Sequence, residues 1–485
     1  MYQPLKNWLK PMLSAFLNHS KKSVRVLVVG DIIVDHYIWG NSERLSPEAP
    51  VQVVEVIEET YRLGGAANVV NNLVALGAQV DLCGVAGADG AKDRLFSILQ
   101  DLGVGVDGIL IDSTRPTCLK SRVMVGKQQV LRIDHEKNTP ISSNLRASLL
   151  EIANTFLQNI DVLVLSDYLK GVLDQSLCQA LITRAKEQGK IILCDPKGKD
   201  YSKYAHAHSL TPNKKEAQIA TGLDITDDAS LLKALTILKD GYHIVTPLIT
   251  LSEQGMAFLD QDNLVKIPTI AKEVYDVSGA GDSVIAALAF CLGLGLDFGQ
   301  ACTFANAVAA VVVSKVGSAC SSYGEALEFL RQHYQGQKIL DKHTLQAILS
   351  SSTKRVVFTN GCFDVLHRGH VYYLQEAKKL GDILVVGLNS DSSVTALKGN
   401  KRPIYHQEDR AFILASLECV DFVVIFEEQT PLELIKTLKP QILVKGADYQ
   451  DKEIVGSHLV EQVVLIDFVK GCSTTNTIQK IQGLL

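Results

Sequence analysis

Short apolar runs, many of them β-branched, recur along the chain, and between them apolar positions fall at helical spacing. Strand-length runs alternating with amphipathic stretches are the pattern of a parallel α/β fold. In the first two thirds, strands are predicted at Val24–Val29, Val162–Leu165, Ile191–Cys194 and His243–Thr246, with helices such as Leu177–Gln188 between them. Val51–Ile57 breaks the pattern. It alternates and meets a Gly-rich segment with no helix before it, which predicts a small β-lid over a pocket. The longest apolar region, Ala286–Val313, is interrupted by Asp297, Gln300 and Asn306. It predicts two buried helices joined by a Gly-rich turn, not a membrane span.

The pattern changes between Gln335 and Thr353, where one short helical period (Leu340–Leu349) is followed by Ser350-Ser351-Ser352-Thr353. A fresh strand starts at Arg355. Residues 1–335 are therefore expected to form a first domain, 336–353 a linker and 354–485 a second domain. In the second domain, strands are predicted at Val356–Thr359, Ile383–Leu388, Phe422–Phe426, Ile442–Lys445 and Val463–Asp467. No short repeat relates the halves, so they are expected to be different folds.

With 47% apolar and 21% charged residues over 485 positions, disorder and coiled coil are excluded and each half can bury its own core. A formal net charge of −5 argues against a general nucleic-acid surface and leaves recognition to local pockets. Ten cysteines occur without a CxxC pair, several in apolar runs, as expected of thiols in a reducing cytoplasm. The first 22 residues make a poor signal peptide, since Pro11 interrupts a short apolar patch and His19-Ser20-Lys21-Lys22 follows; a short amphipathic helix is expected.

Two segments carry chemistry. In DVSGAGD (276–282), Gly279, Ala280 and Gly281 would open a helix running through Phe290. Its free N–H groups attract phosphate, and Asp282 in the first turn is placed to take a proton from an attacking hydroxyl. Alone, such a segment could be a tight strand–helix turn. It is accompanied, in order, by VVGDIIVDHY (28–37), LGGAANVVNNLVALG (63–77) and TPNKKE (211–216).

These four blocks resemble the ribokinase-type (PfkB) sugar kinases over roughly residues 24–330. The resemblance implies Asp282 as base. It implies sugar contacts from Asp31, Asp35, Gly64, Gly65 and Asn68, and an ATP and magnesium corner at Asn213 and Glu216 acting through water. It implies a nucleotide turn at Ser252, Glu253 and Gly255. Asn213 could equally cap the helix starting at Lys214, and Lys197 of DPKG could touch substrate phosphate or be a surface lysine. Relatives tend to read VTRSEQG where this chain reads ITLSEQG, so Leu251 stands in place of an arginine.

In NGCFDVLHRGH (360–370), a strand turns through Gly361, Cys362, Phe363 and Asp364 into a helix expected to begin near Val365 or Leu366. His367 and His370 then share one face near its positive end, where two imidazoles can stabilise the charge of leaving pyrophosphate. A zinc pair would need further ligands at partner spacing, which are absent. This half resembles the cytidylyltransferase-like nucleotidyltransferases over roughly residues 354–485, with LKGNKRP (397–403), LVKGADY (443–449) and GCSTTN (471–476) as further blocks. The resemblance implies phosphate or nucleotide contacts from Lys398, Lys401, Arg402, Lys445, Ser473, Thr474 and Thr475, with Arg410 bracing the site. Phe468-Val469-Lys470 before GCSTT disfavours the glycerol-phosphate subgroup.

Both halves in this order, with SPEAPV (46–51), LSDYLKG (165–171) and SEQGM (252–256), resemble the bifunctional heptose enzymes of Gram-negative lipopolysaccharide synthesis. The expected architecture is α/β: a ribokinase-like domain with a β-lid, then a Rossmann-like nucleotidyltransferase domain. The resemblance implies ATP-dependent phosphorylation of heptose 7-phosphate at C1, then adenylyl transfer to heptose 1-phosphate. It implies magnesium, a homodimer through the lid, and a separate phosphatase between the two steps. A different sugar kinase fused to a cytidylyl or pantetheine-phosphate transferase, a nucleotide sensor and a nucleic-acid binder stay open as alternatives.

Overall fold

The computed structural model describes residues 23–126, 128–271, 274–315, 319–333, 338–342, 345–346, 349, 354–399, 402–450, 454–467 and 483. The chain forms two compact units, with residues up to Leu330 in one and Arg331 onward in the other.

The first unit is built on a six-stranded sheet ordered Ser209–Leu210, Ile191–Asp195, Val162–Ser166, Arg25–Gly30, Gln79–Ala86 and Ile109–Ile111. Every pairing in it is parallel. The inner strands are buried along nearly their whole length, as a parallel sheet covered on both faces requires. Arg25–Gly30 lies between strands that follow it in opposite directions of the order, which makes its carboxyl end a switch point where loops part and ligands bind. Asp31, Asp167 and Asp195 all sit at this edge.

The predicted lid is real and longer than Val51–Ile57. Gln52–Gly65, Ile32–Leu45, Cys118–Val125 and Gln128–His135 form a four-stranded sheet. Ile32–Leu45 pairs antiparallel with the first and parallel with the third. The apolar region 286–313 resolves into helices Ala280–Gly293 and Phe298–Val313. Two of its interrupting polar residues have local work, because Asp297 and Gln300 form the capping box of the second helix. Asn306 donates to the Pro268 carbonyl at 2.6 Å.

The strand expected at His243–Thr246 is not formed. Helix Asp228–Tyr242 ends there on His243, whose left-handed φ of 55° caps it. Pro247, which has no N–H, divides the apolar run, and the strand is Leu248–Thr250.

The second unit has a five-stranded parallel sheet ordered Phe422–Phe426, Ile383–Asn389, Val356–Gly361, Ile442–Gly446 and Gln462–Ile466. Its order reverses at Val356–Gly361, so this sheet too has its switch point at the end of the strand that carries the motif. Apolar residues pack on both faces. Leu340, Leu345 and Leu349, inside the expected linker, are buried in one of these cores, and Leu340 donates its N–H to the Val423 carbonyl. The described part of that segment therefore belongs to the second unit. No helix among the described residues is long and apolar enough to cross a membrane.

Candidate active sites

In the first unit the Gly-rich turn and three strand ends converge. Gly279 has φ 76°, and a Cβ there would lie 2.9 Å from Asn68 Nδ2, so glycine is required both for the turn and for the approach of Asn68. Asp282 follows in the first turn of helix Ala280–Gly293 and is 4% exposed. Asn68 Nδ2 donates to its Oδ2 at 2.7 Å, and Tyr168 Oη donates to its Oδ1 at 2.7 Å. Burial pushes its pKa up to about 6, with these two bonds and Lys197 opposing and Asp35 adding to the rise. A carboxylate poised there can accept a proton near neutral pH.

Asp195 ends strand Ile191–Asp195 and is buried beside this group. Burial, Asp282 and Glu216 push it up to about 8, while Lys197 and the Thr211 hydroxyl oppose. Lys197 is the conspicuous residue of DPKG, and this aspartate stands unmarked two places before it. Its position at the carboxyl end of a buried strand was the signal that could have found it. Lys197 forms an ion pair with Glu216 and lies 5.7 Å from the centre of the Tyr168 ring.

Asn213 Oδ1 accepts the Glu216 N–H at 3.0 Å and Glu216 Oε2 accepts the Asn213 N–H at 2.9 Å. The pair is thus a capping box on helix Lys214–Thr221, and Oε1 of Glu216 still faces Lys197. Asn213 bridges to Thr250, so this corner adjoins the turn holding Ser252, Glu253 and Gly255. Gly255 has φ 89°, and a Cβ there would meet the Ile267 carbonyl at 2.0 Å. Leu251 is 4% exposed and packs in the core, an apolar site in which an arginine head would be costly.

On the lid, Asp35 is 8% exposed and receives Arg122 Nη1 at 2.6 Å. A Cβ on Gly64 would come within 2.7 Å of Asp35 Oδ2. Gly65 turns with φ 56° into helix Ala66–Ala75, which carries Asn68. Asp31 departs from expectation. It is 1% exposed, and its carboxylate accepts the backbone N–H groups of Tyr168, Lys170 and Val172 at 2.8, 2.9 and 3.1 Å. It braces the loop carrying Tyr168 instead of reaching for sugar.

In the second unit, strand Val356–Gly361 ends in a turn where Phe363 takes φ 42° and packs beside Gly361. The helix starts at Arg368, later than expected, with His367 as its extended N-cap. The two imidazoles stack with ring centres 3.9 Å apart, and Phe363 meets His370 edge-on at 5.3 Å. Nδ1 of each is buried without a hydrogen-bond partner, a state that a polar ligand would relieve. Burial, His367 and Lys398 hold His370 down to about 4, and burial lowers His367 as well. Both rings are therefore neutral N–H donors at physiological pH. Among the described residues, no group of three or more His, Cys, Asp or Glu could hold a metal ion.

Two residues expected to face nucleotide are committed within the protein. Asp364, 3% exposed, accepts the N–H groups of Ile404 and Tyr405 at 2.6 and 3.2 Å and pairs with Arg402 at 2.6 Å. Asp364 thus anchors the loop after Lys398, and the charge of Arg402 is balanced by it instead of lying open for phosphate. Lys398 is exposed at the end of helix Asp391–Lys398, and Lys445 donates to Asn360 at 2.5 Å beside the ring of Tyr449. Lys401, Ser473, Thr474 and Thr475 lie outside the described residues.

Arg410 is 1% exposed and donates to the carbonyls of Tyr405 and Cys362 at 3.0 and 2.6 Å and to Asp391 at 2.7 Å. It ties the motif turn to two neighbouring segments. Arg410→Met would strand a carboxylate and two carbonyls, so the second unit should lose about 3 kcal/mol of stability. A lower unfolding midpoint for that unit, with sugar phosphorylation retained, is the expected result.

Residues 24–322 match the pfkB family carbohydrate kinases, and residues 358–479 match the cytidylyltransferase-like family. The chain is similar to the "Bifunctional protein HldE" of Helicobacter acinonychis (strain Sheeba), with 55% identity over 458 residues, 94% of this chain and 98% of that one. The Helicobacter hepaticus protein of the same name is 52% identical over 468 residues, covering 95% and 97%. Among solved structures, Arabidopsis thaliana ribokinase complexed with ribose and ATP aligns with TM-score 0.51 at 20% identity, over 64% of this chain and 99% of that one. Phosphofructokinase-2 from Escherichia coli in complex with potassium aligns at 0.54 and 18%, over the same shares. At such identities the likeness speaks for the fold alone.

Proposed function

The chain belongs to the bifunctional HldE family, a pfkB carbohydrate kinase joined to a cytidylyltransferase-like domain, and from that premise we propose that it makes ADP-heptose in two separate ATP-dependent steps. The observation that carries the reading is the coexistence of a buried base held at a helix N-terminus and a stacked pair of neutral histidines at a second sheet's switch point.

In the first step, Asp282 accepts the proton of the C1 hydroxyl of D-glycero-β-D-manno-heptose 7-phosphate as its oxygen attacks the γ-phosphorus of ATP. The new O–P bond forms, the bond to the β-phosphate bridging oxygen breaks, and ADP leaves. The N-terminal end of helix Ala280–Gly293, whose cap Gly279 brings no side-chain hydrogen bond, receives the phosphoryl charge, while Asp35, Gly64, Gly65 and Asn68 line the sugar side. Magnesium would enter this corner with the ATP phosphates, since no group of three acids among the described residues could hold it alone. Asp282 and Glu216 add to the raised proton affinity of Asp195, a repulsion that a hard divalent cation with oxygen ligands would relieve. Glu216 and Asn213, through water, would hold it, and it would neutralise charge on the phosphates.

In the second step, a phosphate oxygen of heptose 1-phosphate attacks the α-phosphorus of ATP and pyrophosphate leaves, with no protein nucleophile. His367 and His370 donate N–H bonds to the phosphates as charge moves onto the leaving group, and Lys398 adds field from the rim. A separate phosphatase removes the 7-phosphate between the steps. The enzyme would act in the cytoplasm as a homodimer through the lid, whose outer strands expose Val56, Ile57, Leu131 and Ile133, with Leu45 and Val51 exposed at the connection between its first two strands.

The test is purified protein with heptose 7-phosphate, ATP and magnesium, with and without a 7-phosphatase, read by mass spectrometry. Bisphosphate alone without phosphatase and ADP-heptose with it support the reading, and no bisphosphate overturns the sugar assignment. Bisphosphate without ADP-heptose overturns the acceptor or base assigned to the second site. The pH dependence follows from Asp282. Only its carboxylate can take the proton, so kcat for sugar phosphorylation should fall as pH drops through about 6. A rate that stays level well below that pH would contradict Asp282 as the base.

A further inference from the structure

Tyr168 lies in LSDYLKG, a segment whose residues have no assigned part in either reaction. The loop follows strand Val162–Ser166 and is tightly fixed. Leu169 takes φ 55° and Gly171 φ 92°. Asp31 accepts three of the loop's N–H groups, that of Tyr168 included, and Asp167 accepts the N–H of Leu169 at 2.7 Å. A buried carboxylate thus sets where the Tyr168 ring stands.

From that position the side chain meets three charged groups. Its hydroxyl donates to Asp282 at 2.7 Å. Lys120 Nζ, from the lid, and Lys197 Nζ, from the Glu216 corner, lie 5.8 and 5.7 Å from the ring centre, the range of cation–π attraction. We propose that Tyr168 is a positioning residue for the phosphoryl transfer, holding Asp282 in its reactive orientation through the hydroxyl and gathering Lys120 and Lys197 around it through the ring. This role rests on reading Asp282 as the base.

The hydroxyl remains a donor at any working pH, because burial and the nearby carboxylates of Asp282, Asp195 and Asp35 hold the phenol well above its usual range. Around Asp282 stand the acids Asp35 and Asp195, the cation Lys197, the thiol of Cys320 and the amide of Asn68. Removing the Tyr168 hydroxyl leaves Asn68 as the one hydrogen-bond donor recorded on Asp282 among the described residues. The carboxylate is then less stabilised against Asp35 and Asp195, and its protonation moves to higher pH.

The experiment compares the full-length wild type with Tyr168→Phe, with 3-fluorotyrosine incorporated at 168, and with Asp282→Asn. Both reactions are followed across pH. Tyr168→Phe should lower kcat for sugar phosphorylation roughly tenfold, the scale of losing a hydrogen bond to a charged group. Its acid limb should move up by about half a pH unit or more, while adenylyl transfer stays at the wild-type rate. Fluorotyrosine, nearly the same size but a stronger donor, should move the acid limb down and keeps the test valid if the phenylalanine variant folds poorly. An unmoved acid limb in either variant overturns the proposal, even if kcat falls, since a merely structural hydroxyl would lower rate without retuning the base. Phosphorylation surviving in Asp282→Asn overturns the base reading and this role together. A dead Asp282→Asn with unaltered Tyr168 variants overturns this role alone.

Discussion

Asp282→Asn should stop sugar phosphorylation, lowering kcat by at least about a hundredfold, while the same molecules continue adenylyl transfer. The substitution keeps the size of the side chain and the bond from Tyr168 Oη to a carbonyl oxygen. It replaces the group that takes the proton with one that cannot. In Asp282→Asn, the new amide would also confront the Nδ2 of Asn68, now 2.7 Å from Oδ2, so a flip of Asn68 is needed to avoid two donors meeting. KM for ATP should change little, because the N–H groups at the helix start are backbone and survive. Steady-state rates for both reactions on one preparation provide the check. Retained phosphorylation would show that the substrate hydroxyl needs no base at this position.

His370→Ala should do the reverse, cutting adenylyl transfer by a factor of roughly a hundred to a thousand, the cost of removing one preorganised donor from developing charge. The ring is held by Phe363 on its edge and His367 on its face, so its N–H is aimed before substrate arrives and no reorganisation is needed at the moment of transfer. Before substrate binds, burial, His367 and Lys398 keep the ring neutral near pH 7. Asparagine at 370, which retains an N–H donor, should recover part of the rate. Loss of both activities in either single variant would contradict two independent sites.

Much of this architecture was readable in the chain because buried parallel strands are continuous apolar runs. Phe422–Phe426 was predicted to the residue, and most other strands differ by a residue or two at their ends. The failure at His243–Thr246 came from a helix cap and a proline dividing an apolar run, and apolarity alone says nothing of the sign of φ. The helix after the histidine motif began late for a related reason, since Phe363 adopts a left-handed turn that lets His367 serve as the cap.

At the sites, residue types were legible but their directions were not. Asp31, Asp364 and Arg402 are acids and a base of the right kind in the right segments, yet each is committed to a neighbour within the fold. Asp195 and Tyr168 gave weaker signals. Each reaches Asp282 only because three distant strand ends meet at one edge of the sheet, a proximity that exists in space and not in spacing.

Leu340, Leu345 and Leu349 sit in the core of the second unit, and each unit closes a sheet of its own. Dividing the gene at the serine run, as the motif pattern invites, would therefore strip the downstream half of three interior leucines and leave their greasy berths open to water. The natural seam lies upstream of Leu340. A downstream polypeptide begun there keeps all three leucines with the sheet they cover, so its unfolding midpoint should exceed that of one begun after the serines.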